Sequence, residues 1–385
     1  MIETKKNWYS SLLLFVIFGL LQFLSCKKMK SENDFLNKTG DLQKPKITTI
    51  IDIDTVTKID TISMEMIWYN DFDKKVKCSN QPKDIEQTIS TIYSIQEGPD
   101  YSILILDKNK ILKFSKDGKW LNNIGEMGSG PGEFINPQFM CYSNDKIFIA
   151  DPSNGRIEVL DSEGKYLRQI DRNKIGNMRF QFAVGPNDEI IARTKDMDSD
   201  LLMILDSLGN VVKKFGNYIP YGFNHYQQMH FNNMYIFFDK INENIFCVFE
   251  NFPIIRRYSL TGDFLEEIRL EGERELKYFS ELFEQSLRIN KDHANKNDLI
   301  VTSNPFMGLA SYDEKGKIVL STFFRAKPCI FIIDVSKNVA NIESIAFYKC
   351  DDIKNEPMPH NTFFVNGLLY SYSPNNSLFK QKNKE

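Results

Sequence analysis

One phrase recurs along the chain, and its spacing restricts the fold more than any other feature. An alternating apolar run, a turn with glycine and a second alternating run form ILKFSKDGKWLNNIG (111–125) and IEVLDSEGKYLRQI (157–170). The phrase returns as LMILDSLGNVVKKFG (202–216) and IIRRYSLTGDFLEEIRL (254–270), with a degenerate copy, IFIIDVSKNVANIESIAF, at 330–347. The turn glycines Gly118, Gly164, Gly209 and Gly262 are spaced by 46, 45 and 53 residues. Apolar residues at period two make strands, and a tight turn needs a left-handed residue, so each copy is a hairpin.

A second turn precedes each hairpin: EGPD at 97, SND at 143, GPND at 185, NN at 232, DEKG at 313 and NG at 366. Each joins two further apolar runs, such as FMCY to KIFIAD. The unit is therefore four strands in roughly 45 residues, the size of one propeller blade. Six first turns imply six blades in an all-β ring over residues 46–385. The sixth blade runs short at the C-terminus. Its outer strand is expected from ITTIIDID (47–54), which would close the ring and leave no open edge. Residues 55–87 have no evident place.

The fourth and fifth first turns are about 80 residues apart instead of about 45. The excess lies around ERELKYFSELFEQSLRIN (273–290), where Leu276, Phe279, Phe283 and Leu287 share one helical face. A helix inserted between blades four and five follows, serving as a stabilising cover or as a lid.

The first residues read as a targeting segment. Lys5 and Lys6 precede an apolar core, SLLLFVIFGLLQFL (11–24), too short for a comfortable membrane span and suited to a signal sequence. It ends in Phe23-Leu24-Ser25-Cys26, which resembles the lipobox of bacterial lipoproteins. That resemblance implies a signal peptide over 1–25, acylation of Cys26 and a polar tether over 26–45. The other cysteines, Cys78, Cys141, Cys247, Cys329 and Cys350, include no C-x-x-C. Cys141, Cys247 and Cys329 sit in apolar runs and read as small buried hydrophobes. A single disulfide is compatible with export. The formal net charge is −3, which offers no basic field for nucleic acid.

The stretch GEMGSGPGEF (125–134) could cradle a phosphate or turn the backbone tightly. A phosphate loop needs strand, glycine loop and helix, with G-K-[ST]; here a strand follows and that motif is lacking. The glycines are therefore expected to serve a crossing between blades, with Glu133 accepting backbone N–H bonds. Asp151 and Arg156 are expected to staple the neighbouring loop rather than to touch a ligand. From Gly128 to Ile170 the chain resembles the NHL repeat family of propellers. The matching features are G-x-G-P-G-E-F, Pro137, the run Ala150, Asp151, Asn154, Arg156 and Ile157, and the D-x-x-G turn. With the lipobox and six loose blades, the whole chain resembles the six-bladed β-propeller lipoproteins of bacteria, a family largely without assigned activity.

In such a ring, blade-to-blade loops and second-to-third-strand loops share one face. That face is expected to carry GEMGSGPGEF, PSNGR, NKIGNMR, TKDMDSD, NYIPYGFNHY, KINEN, the helical insert, RAKP and SPNN. It gathers Arg156, Arg179, Arg193, Arg325 and Lys327 with Asp196, Asp198 and Asp200. His225 and His360 are expected near the start of innermost strands, at the channel mouth. Together they make Arg156, Arg179, Arg193, His225, Arg325 and His360 the candidate binding residues. Two readings stand open beside a plainer third, a structural envelope component with no small ligand. The first is a membrane-anchored, non-catalytic binding module, periplasmic or cell-surface, that needs no cofactor and meets an envelope protein, a glycan or another small molecule. The second is a propeller lyase or hydrolase at the channel mouth. It would use zinc or calcium if His225 and His360, with His293, came together, an arrangement comparable to that of some NHL-like lyases. DMDSD at 196–200 lacks the glycine and distant glutamate of an EF-hand and reads as a charged turn.

Overall fold

The computed structural model describes residues 48–381 apart from 57–58, 69–90, 118, 172–180, 195–199, 220–224, 273–275, 296–308, 314–315, 325–326, 337–339, 351–360, 366–367 and 373–377. Two strands come first, β1 (Thr48–Asp52) and β2 (Ile59–Trp68). Blade one is β3 (Ser94–Glu97), β4 (Ile103–Leu106), β5 (Ile111–Phe114) and β6 (Trp120–Ile124). The crossing to blade two holds the short parallel pair β7 (Glu126–Met127) and β8 (Glu133–Phe134). Blade two is β9 (Phe139–Ser143), β10 (Lys146–Asp151), β11 (Arg156–Asp161) and β12 (Tyr166–Asp171). Blade three is β13 (Phe182–Val184), β14 (Ile190–Arg193), β15 (Leu202–Leu205) and β16 (Val211–Phe215). Helix α1 (His225–Phe231) leads into blade four: β17 (Met234–Asp239), β18 (Asn244–Phe249), β19 (Ile254–Ser259) and β20 (Phe264–Glu271). Helix α2 (Lys277–Asn295) leads into blade five: β21 (Leu309–Asp313), β22 (Lys317–Phe324), β23 (Lys327–Asp334) and β24 (Asn341–Cys350). Blade six has β25 (Asn361–Val365), β26 (Leu368–Tyr372) and β27 (Leu378–Gln381).

The innermost strands β3, β9, β13, β17, β21 and β25 each neighbour the next, and β25 returns to β3. The ring therefore closes at six blades. Alternation along each strand fills the spaces between blades. In β10, Ile147 and Ile149 face blade one, among Leu104, Leu106, Ile124 and Phe134. Phe148 and Ala150 face blade three, among Phe182, Ile190, Ala192 and Met203. Burying each large apolar side chain there contributes about 1.5–3 kcal/mol.

The turn glycines do more than supply a left-handed residue. Gly164 (φ +91°), Gly209 (φ +82°) and Gly262 (φ +79°) each lie against the preceding blade's outer strand. A Cβ would stand 2.5 Å from Ile124 at Gly164, 2.6 Å from Ile170 at Gly209 and 2.9 Å from Phe215 at Gly262. The repeated glycine is thus the point where one blade docks on the last.

Three expectations are corrected. The strand that completes blade six is β2, which pairs antiparallel with β27, and not the run at 47–54. That run supplies β1, a fifth strand lying parallel to β20 on the outer edge of blade four. Strand β2 also pairs in parallel with β24, so blades five and six share one eight-stranded sheet. Second, the first turn of blade four is at 240–243 rather than at Asn232-Asn233, because β17 is the innermost strand. KINEN therefore lies on the short-turn face. Third, the inserted helix runs Lys277–Asn295, a few residues later than its apolar pattern suggested.

Candidate functional site

The glycine-rich crossing is a closed knot of backbone and carboxylate. Gly125 (φ +76°) has no room for a Cβ, which would sit 2.2 Å from the Phe134 ring. At Gly128 a Cβ would meet Glu133 Oε2 at 2.0 Å. The N–H of Gly130 donates to Glu133 Oε2 at 2.7 Å, and that of Gly132 donates to Glu158 Oε1 at 2.6 Å. An anion would meet two carboxylates there, so the loop is a crossing and not a phosphate cradle.

Arg156 fills the other side of the knot. Its guanidinium donates to Ser129 O at 3.0 Å, to Glu133 O at 3.1 Å and to Gly130 O, and it pairs with Glu158 at 3.3 Å. Asp151 accepts from Ile135 N at 2.8 Å and Asn136 N at 3.2 Å, and Asn154 donates to Gly128 O at 3.1 Å. Glu158 is fully buried. Burial pushes its carboxyl up, against the lowering effect of Gly132 N–H and Arg156.

Asp151 ends the second strand of its blade, and Asp107 holds the same place in blade one, accepting from Thr91 N at 2.8 Å. In blade three the residue at this place is Arg193. Asp107 and Asp151 bond the crossing that enters their own blade, whereas Arg193 reaches forward to the crossing that enters the next, and the sign follows the backbone each one meets. The strand-like crossings offer N–H groups, whereas α1 ends in bare carbonyls. Arg193 donates to Met229 O at 2.9 Å and Asn233 Oδ1 at 3.0 Å. Burial holds its guanidinium below the usual arginine range, partly offset by Tyr218 and Glu250.

Helix α1 is fastened at further points. Asn251 donates to His230 O at 3.2 Å and Phe231 O at 3.3 Å. Asn232 clasps Ile219 with two bonds of 2.8 Å. Gln227 Nε2 reaches Asn290 O on α2 at 2.8 Å. Phe283 of α2 stands edge-on to Phe231 (5.9 Å) and Phe252 (6.0 Å), all three fully buried. Leu276 and Phe283 of the predicted apolar face are buried as expected, joined by Ser286 and Asn290. The two helices thus form one cover on the long-loop face, bound to the 250–253 loop of blade four.

Among the candidate residues, Arg156 and Arg193 are buried in these contacts. His225 opens α1 instead of an inner strand, since the register of blade four begins later than its sequence suggests. His293 lies in the last turn of α2. Arg179, Arg325, His360, Cys26, Cys78, Asp196 and Asp198 lie outside the described residues. Among the described residues, no three His, Cys, Asp or Glu side chains gather as a metal site. Cys141, Cys247 and Cys329 are free thiols, and desolvation pushes Cys141 and Cys247 up to about 12. Sequence reasoning missed Glu158, Asp107, Gln227, Asn233, Asn251 and Asn290. Only Asp107 left a signal: I-L-D at 105–107 repeats the I-A-D of 149–151.

Residues 84–140 match a family model described as a 6-bladed beta-propeller. No curated protein matches the chain. Among solved structures, a protein of Bacteroides fragilis described as exported has a TM-score of 0.54 at 15% identity, over 88% of this chain and 99% of that one. Virginiamycin B lyase of Staphylococcus aureus has a TM-score of 0.43 at 11% identity, over 75% and 80%. A Bacteroides thetaiotaomicron protein of unknown function has 0.46 at 10% identity, over 77% and 70%. At these identities the likeness is one of fold: the chain is a six-bladed β-propeller.

Proposed function

We propose that this propeller is a lipid-anchored, non-catalytic binding module of the bacterial cell envelope, working through its long-loop face. The observation that carries the reading is the asymmetry of the ring. Both helices are built onto the long-loop end, while the first turn of blade four is only residues 240–243. Irregular segments held on a rigid scaffold are where binding surfaces concentrate. The arginines of the face that the structure describes serve the scaffold, so recognition falls to the outer surfaces of the loops and helices. The ligand class is an envelope protein or a glycan.

Anchoring rests on the apolar core at 11–24 and the Leu24-Ser25-Cys26 sequence. The test is fractionation with labelled palmitate. The wild-type chain incorporates label and follows the membrane, and Cys26→Ser abolishes both. Equal labelling of the variant, or a wild-type chain recovered unlabelled in the soluble fraction, contradicts the reading.

A further inference from the structure

The N-terminal segment is fastened in two stages of unequal strength, and the ring depends on only one of them. Strand β1 lies on blade four outside the ring, paired along a single edge with β20 over five residues, Thr48↔Glu267 to Asp52↔Glu271. The pairing is parallel, the slightly weaker kind. Among its described contacts, Ile51 and the following Ile53 are buried, Ile50 is exposed, and Thr49 Oγ1 bonds Glu266. Strand β2 is twice as long as β1 and its two halves are held by different strands on opposite edges, the first in parallel as in β1 and the second antiparallel, overlapping at Met64. Ile59 to Met64 pair with β24, and Met64 to Trp68 pair with β27, which completes blade six.

We infer that β1 is a yielding strap: under tension from the N-terminus it leaves β20 while β2 stays in place and the ring remains shut. The inference rests on the anchoring reading, because an acyl chain at Cys26 would deliver tension to β1 first. Among the described strands, closure of the ring does not involve β1. The six inner strands meet without it, and each blade has four strands without it. Release as far as the start of β2 frees a stretch whose full contour is about 36–40 Å at 3.3–3.6 Å per residue, and the gain in reach is that contour less the span the stretch already covers in the fold. A tethered propeller gains that reach without losing its binding face, and β1 can re-pair when tension falls.

The experiment is optical-tweezers pulling of the full chain in detergent micelles, with click handles at position 30 and at Ser153, an exposed residue in the stapled loop of blade two. The expected trace has a first, reversible lengthening at low force that is smaller than the contour of about 36–40 Å by the folded span of the stretch, then global rupture. Ile51→Asp, which weakens β1 alone, lowers or abolishes the first step and leaves the second unchanged. A single rupture with no early step overturns the inference. So does a first step that includes β2 and releases a whole blade. Hydrogen exchange on the unlabelled protein gives a check that needs no variant. Amides of β1 exchange well before those of β2 through a local opening; equal protection of both strands also overturns the inference. Neither readout depends on acylation, so a protein that shows the two steps but takes no palmitate refutes the anchor and leaves the mechanics standing.

Discussion

Arg156 and Glu158 stand two residues apart on the third strand of blade two and close the same glycine loop from inside, 3.3 Å apart. Both side chains are largely buried, Glu158 completely. Removing one partner leaves the other as an uncompensated buried charge, which costs about 3–5 kcal/mol. Arg156→Met should therefore lower the stability measured by urea unfolding by about that much. The double variant R156M/E158M should lose less than the two single variants added together. Additive losses contradict the pairing.

The docking role of the turn glycines separates from their left-handed backbone. Gly155 (φ +67°) and Gly164 (φ +91°) both have positive φ, but a Cβ at Gly155 meets nothing within 4 Å, whereas one at Gly164 meets Ile124 at 2.5 Å. Gly155→Ala should cost about 1–2 kcal/mol, the left-handed penalty alone. Gly164→Ala should cost clearly more, and pairing it with Ile124→Val should recover part of the difference. Equal costs for the two alanine variants contradict an interblade role.

Arg193 should not tolerate the residue that its blade position holds elsewhere. Arg193→Asp sets a carboxylate against Met229 O and the end of α1, and should destabilise more than Arg193→Met. The loss should appear first as faster hydrogen exchange in α1. If aspartate is tolerated as well as methionine, Arg193 does not cap the helix.

Blades two and three are also joined through Asp188, which accepts from Lys146 and Asn144 at 3.2 Å and from Arg168 at 3.3 Å. Burial raises the carboxyl, but these bonds outweigh it and hold the group below its ordinary value of 3.8. A depressed carboxylate stabilises the fold fully above its unfolded-state pKa and loses that contribution as pH falls through the folded one. The stability difference between the wild type and Asp188→Asn should be full at neutral pH and shrink below pH 3.8. A difference that does not change with pH contradicts the ion-pair account.

The blades were legible because two periodicities agree: alternation within strands and glycines about 45 residues apart. What the sequence could not specify was partner choice at long range. ITTIIDID and IDTISMEMIW are both good strands, and only the ring decides that the second closes blade six. Asn232-Asn233 has the composition of a turn, yet it ends a helix, so blade four and His225 were displaced in the reading. The staple residues Asp151 and Arg156 were readable because their partners lie within about thirty residues. Contacts such as Gln227 to Asn290 join segments whose approach depends on the whole ring.

The central claim is that the long-loop face, with its two-helix cover, is the binding surface. Site-specific photo-crosslinking in living cells tests it from the two ends of the ring. A benzophenone residue at Gln285, exposed on α2, samples the long-loop end, and one at Ile241, exposed in the first turn of blade four, samples the opposite end. The account predicts a discrete crosslinked envelope protein or glycan from position 285 and none from position 241. Crosslinks from 241 alone, or the same product from both, would contradict it.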